Sequence, residues 1–207
     1  MDTNVYVVLL SSHTYIGRLI RTALKSKYNH AAISLDHDLK NMYSFARYNH
    51  NSPLVAGFVD EKLARYFHFG DPPIKIFKIK LTKREYKKVK REIRQFELNQ
   101  KSYVYNFISA MIAPFKRRFF IKNSFTCIEF VVYILGRVNK VKNEADYYNF
   151  RKLDKELKNH VHYEGTLYDY VKRKDFDIGN YLEKKSKTEI FTGTFKEIQK
   201  LIIAILS

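Results

Sequence analysis

The stretch Asn123–Gly136, NSFTCIEFVVYILG, decides how the fold is interpreted, because it predicts an apolar helix with the chain's single cysteine near its start. Ser124 and Thr126 are both suitable N-caps, since a side-chain oxygen at either position can accept a hydrogen bond from the first turn. Either cap places Cys127 in that turn, where free N–H groups and the helix dipole favour a thiolate over a thiol. A single cysteine is also commonly a small buried apolar residue, so the rest of the sequence has to distinguish these interpretations.

The length and composition predict one globular domain. The chain has 207 residues, of which 45% are hydrophobic, and this is enough to bury a sizeable core. One cysteine excludes an internal disulfide, which suits a reducing compartment. The sequence has neither a signal-peptide pattern nor an apolar run of membrane-spanning length. We therefore expect a single domain over residues 1–207, located in the cytoplasm.

The charge is strongly basic and unevenly distributed. The net charge is +17, and residues 75–122 contain 15 basic and 3 acidic residues. This region is either a solvated helix face or a surface for an anionic partner, namely nucleic acid or an anionic membrane. Basic and aromatic residues alternate over Lys116–Lys122, a pattern that can hold single strands by stacking and charge. No RRM, KH or helix-turn-helix signature accompanies it.

The first part of the chain predicts a buried strand, a helix and a hairpin. Asn4–Leu10 is a continuous apolar, β-branched run, and residues 11–14 offer caps for a helix that extends to about Lys27. His30 begins a second strand and shares one face of it with small residues, which leaves space in front of the imidazole. Met42–Tyr48 should return antiparallel to that strand.

The middle of the chain predicts a loop followed by a strand and a basic helix. We interpret most of Asn49–Asp71 as a loop, because turn residues punctuate it, with a short helix from Asp60 to Tyr66. Ile74–Leu81 alternates apolar and lysine residues, as a strand with one buried face does. Thr82 and Glu85 form a capping-box pattern that begins the next helix.

The last part of the chain has weaker patterns. Residues 137–164 are charged and weakly periodic, so we expect a helix and a loop there. Residues 194–207 predict an amphipathic closing helix that docks on the domain through an apolar stripe, although such a helix can also contact a membrane or a partner. The stripe consists of Ile198, Leu201, Ile202 and Ile205.

Four short blocks resemble the circularly permuted NlpC/P60 (papain-like) superfamily, which includes the YiiX/YaeF-like and lecithin:retinol acyltransferase-like proteins. Residues 125–131, FTCIEFV, are similar to its F-x-C-S-E-F-V block, and residues 30–35, HAAISL, are similar to its histidine strand. Residues 103–106, YVYN, and residues 166–169, TLYD, resemble two further elements. As in the permuted members, the histidine strand precedes the cysteine helix.

The resemblance implies an α+β fold in which an antiparallel sheet packs against a helix that carries the cysteine at its N-terminus. It implies that Cys127 is the nucleophile and His30 the general base of a Cys–His acyl hydrolase or acyltransferase. The family's third residue is polar and lies on the strand after the histidine strand, where Ser44 is the small uncharged polar residue, although Asp36 or Glu61 could replace it.

The resemblance also implies residues around the substrate and a class of substrate. Tyr103 matches the family's tyrosine near the nucleophile, and Thr126 lies beside the oxyanion site. The substrate would be a small molecule, a peptide or a lipid. We expect no cofactor and no metal, because His160 and His162 lack further ligands at zinc spacing. The alternatives are a non-enzymatic basic module that binds nucleic acid or an anionic membrane, and a decayed papain-like fold that has kept only a binding role.

Overall fold

The computed structural model describes residues 3–12, 15–68, 70–142, 146–172 and 179–206, and has an α+β architecture. The strands are β1 (Asn4–Leu10), β2 (His30–Ser34), β3 (Met42–Arg47), β4 (Ala56–Glu61), β5 (Pro73–Lys80), β6 (Val104–Tyr105), β7 (Ser124–Phe125) and β8 (Val161–Thr166). The helices are α1 (Tyr15–Leu24), α2 (Ala64–Phe67), α3 (Lys83–Leu98), α4 (Phe107–Ile112), α5 (Cys127–Gly136), α6 (Phe150–Glu156), α7 (Leu167–Val171) and α8 (Lys187–Leu206).

The main sheet is six-stranded and antiparallel, in the order β4-β3-β2-β1-β5-β8. β1 lies in its interior, pairing with β2 on one side, where Leu10 is opposite His30, and with β5 on the other. This position explains the unbroken apolar run of β1, because both of its faces are covered. β6 and β7 form a separate, short parallel pair that leads into α5.

The two faces of the sheet carry separate apolar clusters. Alternate residues of β1, such as Val7 and Val8, belong to different clusters because successive side chains point to opposite faces. The cluster that contains Val7 also includes residues of α3, α5 and α6, and Cys127 belongs to it. The cluster on the opposite face includes Tyr66 and Leu167, near α2 and α7.

α5 is buried nearly all round, which is why its sequence is apolar on every face. Its residues pack with those of β2, β3 and α3. The predicted antiparallel sheet and the central cysteine helix are therefore both present in the structure. The predicted cap residues His13 and Thr14 of α1 lie outside the described residues.

The interpretation of Asn49–Asp71 as mostly loop missed one strand. Strand β4 occupies residues 56–61 at the edge of the sheet and pairs with β3 along its whole length. The predicted helix at 60–66 is shorter, covering Ala64–Phe67. The second missed strand is β8, which lies at the other edge and pairs with β5. Both strands are edge strands, whose side chains need not alternate cleanly between apolar and polar.

The C-terminal helix is longer than predicted and is oriented differently. α8 begins at Lys187, and its buried residue is Glu197, whereas Ile198, Ile202 and Ile205 are each about half exposed, at 45%, 50% and 44%. The predicted apolar stripe therefore does not dock on the domain. None of the helices in the described ranges combines the length and the apolar character that crossing a bilayer requires.

Candidate active site

A complete capping box positions Cys127 at the first residue of α5. The Thr126 hydroxyl accepts a hydrogen bond from the Glu129 N–H (3.3 Å), and the Glu129 carboxylate accepts one from the Thr126 N–H (2.7 Å). Thr126 is thus the N-cap, and Ser124 belongs to β7 instead. Such a reciprocal pair fixes where the helix begins, so the position of the Cys127 sulfur is determined by its neighbours in sequence.

The capping box leaves two backbone donors at the head of α5. The first N–H groups of a helix have no intrahelical acceptor, and the box uses only those of Thr126 and Glu129. Within the described part of the chain, no acceptor is found for the N–H groups of Cys127 and Ile128. These two donors lie next to the thiol, where the oxyanion of an acyl-transfer intermediate would form.

His30 is held by a buried carboxylate. Its Nε2 lies 2.9 Å from Oε2 of Glu61, and the side chains are 13% and 0% exposed. An ionised carboxylate can only accept, so the proton of this hydrogen bond belongs to Nε2 of the imidazole. Nδ1 is therefore the nitrogen left for Cys127, with which the imidazole also interacts.

Glu61 is itself fixed by two further side chains. Arg65, four residues further along the chain in α2, forms an ion pair with Oε1 of Glu61 (3.0 Å). The Tyr66 hydroxyl donates to Oε2 (2.8 Å). Arg65 also donates to the carbonyl of Arg47 (3.0 Å) and stacks on the Tyr181 ring at 4.1 Å. The carboxylate is therefore locked in one position, as a group that orients an imidazole has to be.

The ionised forms of His30, Glu61 and Arg65 stabilise one another. Burial alone would lower the pKa of His30, but the Glu61 charge and hydrogen bonds with Cys127 and Glu61 raise it above the ordinary value of histidine. Burial alone would raise the pKa of Glu61, but the charges of His30 and Arg65 lower it. The structure thus favours an imidazolium facing an ionised carboxylate.

Ser44 does not orient His30, contrary to the sequence-based prediction. Its hydroxyl is completely buried in β3 and donates to the backbone carbonyl of Ala31 (2.7 Å). The partner of the imidazole is Glu61, one strand further along the sheet. Asp36, the other alternative, caps its own turn by accepting hydrogen bonds from Lys40 and Asn41.

A small, largely apolar cleft with a volume of about 60 Å³ leads to Cys127. This volume is below the range of ordinary small-molecule sites. Its polar side chains include Thr126 and Ser109, and Tyr105 lies in its wall, with burial and the nearby Cys127 raising the pKa of its phenol. Further residues of the wall are Asn29, Ala113, Arg117, Tyr147 and Phe150.

Tyr103, predicted to lie near the nucleophile, lines a different pocket. Its ring packs on Phe96 with a centroid distance of 4.4 Å, and it faces a groove that also contains Phe120 and Tyr133. The tyrosine of this segment that reaches the cysteine cleft is Tyr105. Within residues 103–106, the tyrosine beside Cys127 is therefore Tyr105 and not the predicted Tyr103.

Glu129 belongs to the structure of the site rather than to its reacting groups. Besides completing the capping box, its carboxylate forms an ion pair with Arg118 (3.1 Å), which lies in the cleft wall. This pair ties the head of α5 to the basic segment before it.

Comparison of the chain with protein-family models, with curated proteins and with solved structures gave no match. In the described part of the chain, no three His, Cys, Asp or Glu side chains are grouped so that they could hold a metal ion. His162 instead lies beside His37, with ring centroids 5.4 Å apart, on another part of the molecule.

Proposed function

We propose that the protein is a cysteine-dependent acyl hydrolase or acyltransferase that acts on an amide or ester bond. Cys127 is the nucleophile, His30 the general base and Glu61 the residue that orients the base. The observation that carries this proposal is the buried hydrogen bond between His30 Nε2 and Glu61, at a ring near enough to Cys127 for the cysteine to contribute to the raised pKa of His30. A nucleophile, a base and an orienting group in this order are what thiol-dependent acyl transfer requires.

The charge balance of the buried group supports the same assignment. With Glu61 ionised and both His30 and Arg65 protonated, the cluster has one more positive than negative charge. This surplus of positive charge lies beside Cys127, where it stabilises the negative charge that develops during acyl transfer.

The reaction follows from these positions. The Cys127 sulfur attacks the substrate carbonyl carbon, and the N–H groups of Cys127 and Ile128 donate to the oxygen that becomes negative. His30 gives its proton to the leaving amine or alcohol, so that a thioester with Cys127 remains. His30 then takes a proton from water or from another acceptor, which attacks the thioester and releases the acyl group.

We further propose that the fold is a permuted papain-like fold. A histidine strand that precedes the cysteine helix supports this, as does an antiparallel sheet packed against that helix. Glu61, however, lies two strands after His30 in the order of the sheet, whereas the family pattern expects its third residue on the next strand.

Alkylation with iodoacetamide tests the proposed nucleophile, and the adduct reports Cys127 alone because the chain has one cysteine. At about pH 6.5 we expect the protein to react severalfold faster than a free thiol, which with a pKa of about 8.5 is only about 1% ionised there. His30→Ala should remove most of this advantage.

Ser44→Ala is the matched control, since its hydroxyl serves the backbone and not the imidazole. We expect it to be alkylated as fast as the unmodified protein. If the unmodified protein reacts no faster than a free thiol, the proposed nucleophile is wrong. If Ser44→Ala slows alkylation as much as His30→Ala, the assignment of the orienting group to Glu61 is wrong.

A further inference from the structure

A short segment beside the cleft exposes large apolar side chains. Met111, Phe115 and Phe120 are 77%, 75% and 75% exposed, and Phe119 is 45% exposed. We refer to residues 111–122 as the 111–122 segment. Contiguous apolar groups exposed to this degree commonly mark a site of interaction.

The backbone of the 111–122 segment is held in place at both ends. The hydroxyl of Tyr147 donates to the carbonyl of Ala113 (2.7 Å). Asn106 and Ser109 donate to the carbonyl of Phe119 at 2.9 Å and 3.1 Å. The apolar side chains therefore project from a braced turn rather than from an unattached loop.

The charge around these side chains has one sign. Residues 98–128 contain no Asp or Glu, whereas Lys116, Arg117 and Lys122 are exposed within the 111–122 segment. Glu129, the first carboxylate after this region, is paired with Arg118. The partner of this surface should therefore be anionic and should also accept apolar side chains.

α8 exposes a separate apolar surface that points away from the 111–122 segment. Phe191, Phe195, Ile198, Ile202 and Ile205 are spaced three or four residues apart, which places them on one face of the helix, and they are between 44% and 73% exposed. The opposite face of α8, with Lys200 and Ile203, lines a groove together with Lys122 and Asn123. The two apolar surfaces therefore face in different directions.

We propose that the 111–122 segment binds the surface of an anionic lipid bilayer. Apolar side chains interspersed with lysine and arginine are the pattern by which proteins lie in the membrane interface. Single-stranded nucleic acid would match the charge and the two phenylalanines at 119 and 120, but bases do not stack on Met111. The charges also oppose the association of two copies through this face.

The position of this surface has a consequence for the cleft. Ala113 and Arg117 line the cysteine cleft and belong to the 111–122 segment. A bound bilayer would therefore lie beside the cleft. The binding itself does not depend on the chemistry at Cys127, so this proposal stands or fails independently of the proposed function.

Flotation with lipid vesicles tests the proposal on the complete chain. We expect the protein to float with vesicles of phosphatidylcholine mixed with phosphatidylglycerol and to remain behind with phosphatidylcholine alone. The double variant Phe115→Ser/Phe120→Ser should lose flotation. Lys116→Gln/Lys122→Gln should weaken binding about fivefold for each charge removed.

Matched controls exclude a general effect of surface substitution. Leu98→Ser removes an apolar side chain that is 62% exposed at the end of α3, and Lys83→Gln/Lys87→Gln removes two exposed charges from the same helix. Both controls should float like the unmodified protein, and so should Cys127→Ala. All of the substituted side chains except Cys127 are exposed, so the variants are expected to fold.

Four outcomes would overturn the proposal. The first is that the unmodified protein does not float with anionic vesicles, and the second is that Phe115→Ser/Phe120→Ser floats equally well. The third is salt-sensitive binding to single-stranded nucleic acid in place of vesicles. The fourth is a dimer in solution that Phe115→Ser/Phe120→Ser dissociates. Rapid alkylation of Cys127 together with absent flotation would reject the membrane surface alone, whereas flotation with slow alkylation would reject only the proposed nucleophile.

Discussion

Helices α3 and α5 both begin with a capping box, but only the start of α5 lies in the candidate active site. In α3, Glu85 accepts from the Thr82 N–H (2.6 Å) and Thr82 accepts from the Glu85 N–H (3.2 Å). In α5, Thr126 and Glu129 make the same pair of bonds at 2.7 Å and 3.3 Å. Both helices therefore present free N–H groups at their first residues.

The two helix starts differ in what surrounds them. The first residue of α3 is Lys83, which is exposed to solvent, whereas the first residue of α5 is Cys127, which is buried and faces His30. Water competes for the N–H groups and screens the dipole at an exposed start. On the proposed function, a capped helix start is reactive only where neighbouring elements supply a base and exclude water.

The largest expected effect comes from moving the cysteine from one helix start to the other. The double variant Cys127→Ala/Lys83→Cys keeps a thiol at the first residue of a capped helix but takes it away from His30. We expect its hydrolysis of a p-nitrophenyl ester to fall at least about a thousandfold, since removing a nucleophile from its base has effects of this size or larger.

Lys83→Cys alone is the control for the transfer, because it leaves Cys127 in place. It should hydrolyse the ester at the rate of the unmodified protein. Activity of the double variant close to that of the unmodified protein would mean that a capped helix start is sufficient, and the comparison between α3 and α5 would then be incorrect.

The next effect concerns the carboxylates near each helix start. Glu61→Gln removes the charge that orients His30, and we expect ester hydrolysis to slow by about a hundredfold, within the range found for acid–base groups. Glu85→Gln, in the capping box of α3, should leave the rate unchanged. Chemical denaturation of both variants would show whether loss of folding contributes, since Glu61→Gln leaves the charge of Arg65 unpaired.

The pH dependence of hydrolysis tests the same carboxylate. The proposed reaction needs the proton that His30 gives to the leaving group, so the raised pKa of His30 extends activity above the ordinary histidine value of about 6.5. Glu61→Gln removes one cause of the raised pKa, and we therefore expect the alkaline limit of the kcat/KM profile to move to lower pH. An unchanged alkaline limit would show that Glu61 does not act on His30.

A smaller effect, on the free energy of unfolding, should distinguish the N-cap of α3 from the N-cap of α5. Thr82→Ala removes an exposed cap and should lower the free energy of unfolding by about 1 kcal/mol. Thr126→Ala leaves the N–H of Glu129 buried without its acceptor, so we expect a loss of about 2 kcal/mol. Urea denaturation measures both values, and equal losses would mean that burial adds nothing to the cap of α5.

The smallest effect concerns the cations that pair with the two capping carboxylates. Arg118 pairs with Glu129 (3.1 Å) in a largely buried position, and Lys140 pairs with Glu85 (3.3 Å) where both side chains are about 30% exposed. Double-mutant cycles should give a coupling of about 1 kcal/mol for the first pair and at most about 0.5 kcal/mol for the second. A larger coupling for Lys140 would reverse this ranking.

Much of the fold was predictable because it depends on local patterns. The apolar run of β1, the capping boxes of α3 and α5 and the strand that begins at His30 are all present in the structure. β4 and β8 were missed because an edge strand is stabilised by its neighbour rather than by its own sequence pattern. This error also affected the predicted active site, because the missed strand β4 carries Glu61, the partner of His30.

The stripe of α8 shows a second limit of sequence patterns. An amphipathic pattern indicates that a helix has an apolar face, but it does not indicate what that face contacts. In the structure the helix turns Glu197 toward the domain, and Ile198 and Ile202 remain half exposed. The periodicity correctly predicted a helix with an apolar stripe, but the stripe does not pack on the domain as expected.

The sequence by itself determined where α5 begins, because Thr126 and Glu129 are three residues apart and satisfy each other's N–H groups without help from the rest of the chain. It thereby determined that Cys127 stands at the head of an apolar helix. Only the tertiary structure decided which groups surround the thiol. The contact of His30 with Glu61 joins residues 31 positions apart, and a pairing between strands depends on how the sheet is assembled rather than on any pattern within one of them.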